Sequence, residues 1–143
     1  MTLLRLLRHL FATDWGTRRH FDDVAQARIA ACIGEVEAAH AGEIRFAIET
    51  ALDLPELYAR VTPRARALQV FGQLGVWDTA SNNGVLIYVL RADRSVEIVA
   101  DRGIASRVLQ SEWDAVCRDM EDHFRARRFA DGSEAGERGV GRL

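Results

Sequence analysis

The feature that most constrains the fold is the segment at residues 85–90, which reads Val-Leu-Ile-Tyr-Val-Leu without a polar break. A strand that is apolar on both faces has to be covered on both faces, as happens at the middle of a sheet between two helical layers. The segment is much shorter than the roughly 20 apolar residues that a membrane-spanning helix needs. We therefore predict a buried central strand at this position.

The neighbouring segments predict the rest of the sheet. Residues 43–51 alternate between apolar and polar side chains, which is typical of a strand with one buried face. A helix that begins at Thr62 and Pro63 separates this strand from the apolar run, so the two strands should be parallel with a right-handed crossover. Residues 95–100 follow the apolar run after four residues, which is the spacing of an antiparallel hairpin.

Further helices should cover the sheet. Asp22 and Asp23 can cap a helix that runs to about residue 40, and Ser111 and Asp114 resemble the start of a capping box for a long helix. We expect at most a weak helix after Asp131, because the tail is rich in glycine. Together these elements predict an α/β fold, a three-layer α/β/α sandwich with a small mixed sheet.

The first residues predict an amphipathic helix. Five leucines between residues 3 and 10 are interrupted by Arg5, Arg8 and His9, so the segment lacks the unbroken apolar stretch of a signal peptide. Such a helix either docks on its own domain or attaches to a membrane surface, with Arg5 and Arg8 meeting anionic headgroups. We expect residues 1–21 to form an amphipathic N-terminal segment and residues 22–143 a single domain. We also expect no transmembrane helix, and a cytoplasmic protein that membrane contact could recruit.

Composition excludes several kinds of chemistry. All 19 basic residues of the 143-residue chain are arginine, so a lysine Schiff base and a P-loop lysine are unavailable. The arginines reflect either codon bias in a GC-rich genome or recognition of anions such as phosphate. The formal net charge of −2 indicates no nucleic-acid partner. Cys32 and Cys117 are predicted to be buried free thiols, since the chain has no CxxC pair.

Four short segments resemble one known family. They lie at residues 42–46 on the first strand, at 71–77 where a helix closes, at 82–89 through an asparagine-glycine turn into the central strand, and at 93–98 in the hairpin. In this order and spacing they resemble the TPM domain, named after thylakoid-lumen, photosystem-repair and receptor-modulator proteins. The similarity spans roughly residues 25–129, so residues 22–143 are expected to form a single TPM-like domain.

The resemblance implies an α/β/α sandwich, which the strand pattern predicts independently. It also implies properties of some family members, namely acid phosphatase activity and calcium binding in an acidic cleft. This chain departs from the family in two ways. Asp101, Arg102 and Gly103 stand where many relatives are rich in glycine, and typical members are exported and tethered to a membrane, whereas this sequence shows no signal segment.

A candidate metal site follows from the predicted topology. The loop that enters the central strand and the loop that leaves the third strand should meet at one edge of the sheet. Carboxylate and amide oxygens there suit Ca²⁺ or Mg²⁺, with Arg102 as a phosphate contact. The alternative is ordinary turn chemistry, in which an Asn-Gly turn, a local cap and a solvated ion pair need no ligand. The predicted metal ligands are Asp78, Asn82, Asn83 and Asp101.

The opposite edge carries Glu49, Thr50, Asp53 and Asp93, beyond the carboxyl ends of the two parallel strands, where open α/β sheets favour ligands. Because these residues are spread over two loops without a defined spacing, we expect them to be solvated surface residues. The four histidines form no metal-binding pair and should lie at the surface or at helix ends. The absence of an evident nucleophile and general base favours a non-catalytic module that binds calcium or an unknown protein partner, in membrane-protein quality control or assembly. Peripheral membrane contact through residues 1–12 is a further expectation. The alternative function is a metal-dependent hydrolase of phosphomonoesters, similar to acid phosphatases.

Overall fold

A computed structural model describes residues 3–12, 18–39 and 42–143. The predicted order of helix, strand, helix, strand, strand and helix is present, with further helices added to it. In chain order they are α1 (Leu3–Phe11), α2 (Asp23–Ala39), β1 (Glu43–Glu49), α3 (Leu54–Tyr58), α4 (Pro63–Gln73), β2 (Gly84–Leu90), β3 (Ser95–Ala100), α5 (Arg102–Ala105), α6 (Gln110–Arg125) and α7 (Phe129–Arg142).

The sheet has the order β1-β2-β3. Strand β1 is parallel to β2, with Glu43 opposite Gly84 and Glu49 opposite Leu90. Strand β3 is antiparallel to β2, with Leu90 opposite Ser95. Every residue of β2 is buried. The prediction of a central strand between a parallel and an antiparallel neighbour is confirmed.

The two faces of β2 pack against different helices, which gives the three predicted layers. One face packs against α2, α6 and α7, and the other packs against α3 and α4. Alternate side chains point to opposite faces because a strand has a period of two residues. The first face carries Val85, Ile87 and Val89, and the second carries Leu86, Tyr88 and Leu90.

The expectation of at most a weak helix after Asp131 is wrong, because residues 129–142 form helix α7. Three of its glycines, Gly132, Gly136 and Gly139, lie on the face that meets α6. A Cβ atom at Gly132 would come within 2.8 Å of the Cβ of His123, and one at Gly139 within 3.1 Å of the Val116 methyl groups. These glycines let two helices approach closely, and the energy of that contact outweighs their low helix propensity.

One helix start also differs from expectation. Helix α6 begins at Gln110, and the Glu112 carboxylate accepts the Leu109 N–H at 2.8 Å, so Ser111 and Asp114 do not cap it. The short helix α3 lies in the connection between β1 and α4. It has a complete capping box, in which Asp53 accepts the Glu56 N–H at 3.0 Å and Glu56 accepts the Asp53 N–H at 3.1 Å.

Candidate functional site

The loops before β2 and after β3 meet, as the topology predicts. The Gly103 N–H donates to the Asn82 carbonyl oxygen at 2.9 Å, and the Asp101 N–H donates to the Gly84 carbonyl oxygen at 2.8 Å. The approach requires glycine, because a Cβ atom at Gly103 would overlap the Asn82 carbonyl oxygen and lie 2.6 Å from that of Ser81. The two loops are therefore joined through their backbones.

The Asp101 carboxylate occupies the centre of this loop pair. Its Oδ1 accepts the Arg102 N–H at 2.8 Å and so caps α5. Its Oδ2 is buried and has no hydrogen-bond partner within residues 3–12, 18–39 and 42–143. A buried carboxylate oxygen without a partner is costly, so this atom is the part of the loop pair that would gain most from a bound cation or proton.

The other predicted ligands surround Asp101 in sequence and topology but not as a closed cage. Asp78, Asn82 and the predicted phosphate contact Arg102 are exposed, and Asn83 is half-buried. The Asn83 backbone is fixed, since its N–H donates to Thr79 Oγ1 at 3.1 Å and its carbonyl accepts the Glu43 N–H at 3.1 Å. In the part of the chain that the structure describes, no three His, Cys, Asp or Glu side chains form a metal-binding group. A cation here would depend on amide and carbonyl oxygens.

At the opposite edge, Glu49 is part of a half-buried ion pair rather than a solvated surface. Arg66 donates to both of its carboxylate oxygens, at 2.6 and 2.9 Å, and the Tyr88 hydroxyl donates at 2.7 Å. Burial alone would raise the pKa of Glu49, but the hydrogen bonds from Arg66 and Tyr88 outweigh it and hold this pKa below its usual value. The cluster ties β1, β2 and α4 together.

Asp93 holds α1 on the domain. Arg5 donates to Asp93 from Nε at 3.1 Å and from Nη2 at 2.9 Å, and His9 Nε2 lies 2.8 Å from the same carboxylate. His9 Nδ1 accepts the Leu52 N–H at 2.9 Å, so the Nε2 atom carries the proton and donates to Asp93. We call Arg5, His9 and Asp93 the latch. The expectation of a solvated Asp93 is wrong, because its carboxylate is largely buried. His9 lies in the last turn of α1, one of the two positions expected for a histidine, but it is buried there.

The remaining residues of this edge are also accounted for. The Thr50 carbonyl accepts the Ala92 N–H at 2.9 Å, and Asp53 caps α3. Asp93 and Glu49 are thus structural partners of arginine. Sequence reasoning missed the latch because Asp93 lies more than 80 residues from Arg5 and His9, and because the polar side of an amphipathic helix ordinarily faces water.

The latch turns four of the five leucines of α1 outward. Leu6 packs against the core, whereas four leucines form a solvent-exposed row with exposed fractions between 39% and 71%. Residues three and four apart share one face of a helix. This leucine row consists of Leu3, Leu4, Leu7 and Leu10.

Both cysteines and two of the serines are poorly prepared to act as nucleophiles. Burial raises the pKa of both Cys32 and Cys117 to about 12, so both thiols stay protonated at neutral pH. The hydroxyl groups of Ser106 and Ser133 donate to backbone carbonyls of their own helical turns. Both cysteines are free, as the sequence predicts.

The helices that the structure describes include none with the length and apolar character needed to cross a membrane. A mixed sheet between two helical layers is the α/β/α sandwich implied by the resemblance noted from the sequence. The TPM domain family model matches residues 18–143. The chain belongs to the TPM domain family.

Solved structures give the same fold. The NMR structure of the BA42 protein from the psychrophilic bacterium Bizionia argentinensis is 28% identical, with a TM-score of 0.67, over 82% of this chain and 77% of that one. The N-terminal domain of a P. gingivalis protein is 18% identical, with a TM-score of 0.68, over 85% of this chain and 74% of that one. The N-terminal domain of the cg2496 protein from Corynebacterium glutamicum is 17% identical, with a TM-score of 0.62, over 85% and 72%. No curated protein matches the chain.

Proposed function

We propose that this TPM domain is a non-catalytic binding module that works at a membrane surface, in the assembly or quality control of membrane proteins. The observation that carries the proposal is the exposed leucine row of α1. Exposed leucines cost free energy in water, and the latch keeps them exposed by using the polar side of the helix for docking. An apolar row that the fold itself holds outward is suited to contact with a partner surface.

An anionic bilayer fits the charge of this surface. Helix α1 contains no acidic residue, and Arg8 is exposed beside the leucines. Helices that lie in a membrane interface combine an apolar side with arginines that meet anionic headgroups. Arg5 does not take the headgroup role expected from the sequence, because it contacts Asp93. A four-leucine surface should bind a membrane reversibly, with an association constant of about 10⁴ M⁻¹, as for a single acyl chain.

Vesicle flotation tests this proposal. Intact protein should float with vesicles that contain phosphatidylglycerol, and less with phosphatidylcholine alone or at high salt. Replacing Leu4 and Leu7 by Gln should abolish flotation without loss of the fold. The matched control replaces Leu68 and Leu109, which are also exposed but lie on other helical segments. Equal flotation of the two double variants, or no flotation of intact protein, contradicts the proposal.

A second candidate function is divalent cation binding at the joined loops, and the buried Asp101 Oδ2 atom favours it. Asp101 would be the charged ligand, with Asn82 and Asn83 supplying amide or carbonyl oxygens and Asp78 a second carboxylate. Ca²⁺ or Mg²⁺ bound there would neutralise Asp101 and rigidify both loops. The ligand set suits a hard cation, although it holds only two carboxylates.

The melting temperature measures this binding directly. Millimolar calcium should raise it relative to chelator, because a ligand that binds only the folded state stabilises it. Asp101→Asn should remove the shift, and Asp119→Asn, an exposed control on α6, should not. An unchanged melting temperature in intact protein contradicts cation binding. Phosphomonoester hydrolysis that survives purification and is lost in Asp101→Ala would replace the non-catalytic proposal with the hydrolase alternative, with Arg102 as phosphate contact.

A further inference from the structure

A cavity lies at the carboxyl end of β2, at the edge of the sheet opposite the joined loops. Its volume is about 780 Å³, within the range of small-molecule sites. Open α/β sheets commonly bind ligands beyond the carboxyl ends of their strands. Three separate segments contribute four arginines to the wall, namely Arg8 of α1, Arg91 and Arg94 of the β2–β3 hairpin, and Arg127 of the α6–α7 turn. We call this cavity the arginine pocket.

The described wall of the arginine pocket is strongly cationic. Its acidic residue is Glu121, whose Oε1 also accepts the Val96 N–H at 3.1 Å. Arg125 lines the pocket as well, but its guanidinium group contacts Asp122. Several guanidinium groups that converge on one cavity repel one another, and a multiply charged anion between them would relieve that repulsion.

His20 gives an independent indication of a ligand. Its ring lines the pocket and stacks on Phe129 at a centroid distance of 4.1 Å, while its Nδ1 atom is buried without a hydrogen-bond partner in the described part of the chain. Burial lowers the pKa of His20, and the charges of Arg91, Arg127 and Arg19 lower it further. The positive potential therefore reaches the same ring whose nitrogen lacks a partner.

We propose that the arginine pocket binds a phosphate-bearing group, with Arg8, Arg94 and Arg127 as its cationic contacts. Guanidinium groups match phosphate through paired N–H donors, and the His20 residue lines the same cavity. The apolar part of the ligand would lie against an aromatic cluster on the same wall, formed by Phe21, Phe124 and Phe129. The phosphate could belong to a soluble compound or to a lipid headgroup, and only the second case rests on the proposed membrane function.

Backbone geometry at two of these arginines offers a clean set of variants. Arg94 has φ of 53° and Arg127 has φ of 59°, the left-handed region that favours glycine. Replacing either arginine by glycine should preserve or raise stability while it removes a guanidinium group. Weaker ligand binding in a variant of equal or higher melting temperature cannot be explained by a damaged fold.

The first experiment titrates pyrophosphate into intact protein and follows the His20 ring by NMR. The account predicts saturable binding and an upward shift of the His20 titration, because a bound anion favours the imidazolium form. Arg94→Gly and Arg127→Gly should each weaken binding about five-fold or more. Arg107→Gln, an exposed arginine at the other edge of the sheet, is the control and should bind as the unmodified chain does.

Vesicles distinguish the two sources of phosphate. If the Arg94→Gly, Arg127→Gly double variant loses pyrophosphate binding but floats normally, the pocket serves a soluble compound. If it loses both, a lipid headgroup enters the pocket. The inference is overturned if pyrophosphate does not bind and neither pyrophosphate nor the vesicles change the His20 signal. It is also overturned if Arg107→Gln loses as much pyrophosphate binding as the pocket variants do. Failure of flotation with pyrophosphate binding intact refutes only the membrane proposal.

Discussion

Removing the Asp93 carboxylate is the most informative perturbation of the structure. In Asp93→Ala, the His9 side chain stays buried, with its Nε2–H left without an acceptor. Leaving a buried donor unpaired costs about 1–3 kcal/mol. Arg5 is partly exposed and can be hydrated, so losing its ion pair adds about 0–1 kcal/mol. Together the two losses amount to about 1–4 kcal/mol, and the middle of that range, about 2–3 kcal/mol, is the expected weakening of α1 docking.

The Leu52 amide reports this docking, because its hydrogen bond goes to His9 Nδ1 rather than to a strand. A loss of 2–3 kcal/mol corresponds to about 30–150-fold faster hydrogen exchange, since about 1.4 kcal/mol is a factor of ten. Amides of β2 should keep their protection. The matched control is Asp119→Ala, which removes an exposed carboxylate from α6. Unchanged Leu52 exchange in folded Asp93→Ala would refute the role assigned to the latch.

The same amide gives the pH dependence of the latch. Burial alone would raise the pKa of Asp93, but the hydrogen bonds from Arg5 and His9 outweigh it and lower this pKa. An unfolded aspartate titrates near pH 3.9. The contribution of Asp93 is therefore complete above about pH 4 and is lost as the pH falls through the lowered folded-state value. Leu52 exchange, corrected for its intrinsic rate, should accelerate in that acidic range.

Three further predictions concern stability. Glu137 is fully buried, without a hydrogen-bond partner for its oxygens in the described residues, and burial raises its pKa to about 7. Because an unfolded glutamate titrates near pH 4.3, the free energy of unfolding should fall by up to about 3 kcal/mol as the pH rises from about 4.5 to 7. A free energy of unfolding by urea that is flat over this range would contradict the prediction. Glu137→Gln should remove that dependence and raise stability at pH 8. Gly103→Ala should destabilise the fold by about 2 kcal/mol or more, because the added methyl group forces the loops apart. The control Gly34→Ala, in open space on α2, should stabilise it by up to about 1 kcal/mol. Equal changes in the melting temperature of the two variants would show that the loops are not tightly joined. Gly136→Ala should cost about 1–3 kcal/mol through overlap with Met120, and an unchanged melting temperature would contradict the α6–α7 contact.

The sheet could be predicted from sequence because its signals are local. The apolar run of β2, the alternation in β1 and the short hairpin spacing each depend on a few consecutive residues, and together they define the topology. Helix α7 could not be predicted in this way. Its glycines lower helix propensity locally, and their benefit exists only once Met120 and Val116 of α6 are in place.

The candidate sites likewise differ in whether local sequence could predict them. The meeting of Asn82 with Gly103 follows from topology, so the sequence could place those loops together. The latch and the arginine pocket depend on side chains from distant segments, such as Arg8, Arg94 and Arg127. Nothing in the local sequence around His9 indicates that it is buried, or that the leucines beside it face outward.

The solvent accessibility of the α1 leucine methyl groups tests the central claim most directly. A water-soluble paramagnetic agent, applied during methyl NMR, should broaden Leu4 and Leu7 strongly in buffer and leave buried Leu86 sharp. Adding bicelles that contain phosphatidylglycerol should protect Leu4 and Leu7 and leave exposed Leu109 unprotected. Methyl groups of Leu4 and Leu7 that are already shielded in buffer, or that stay broadened on anionic bicelles, would contradict a helix held by its polar side to present leucines to a membrane.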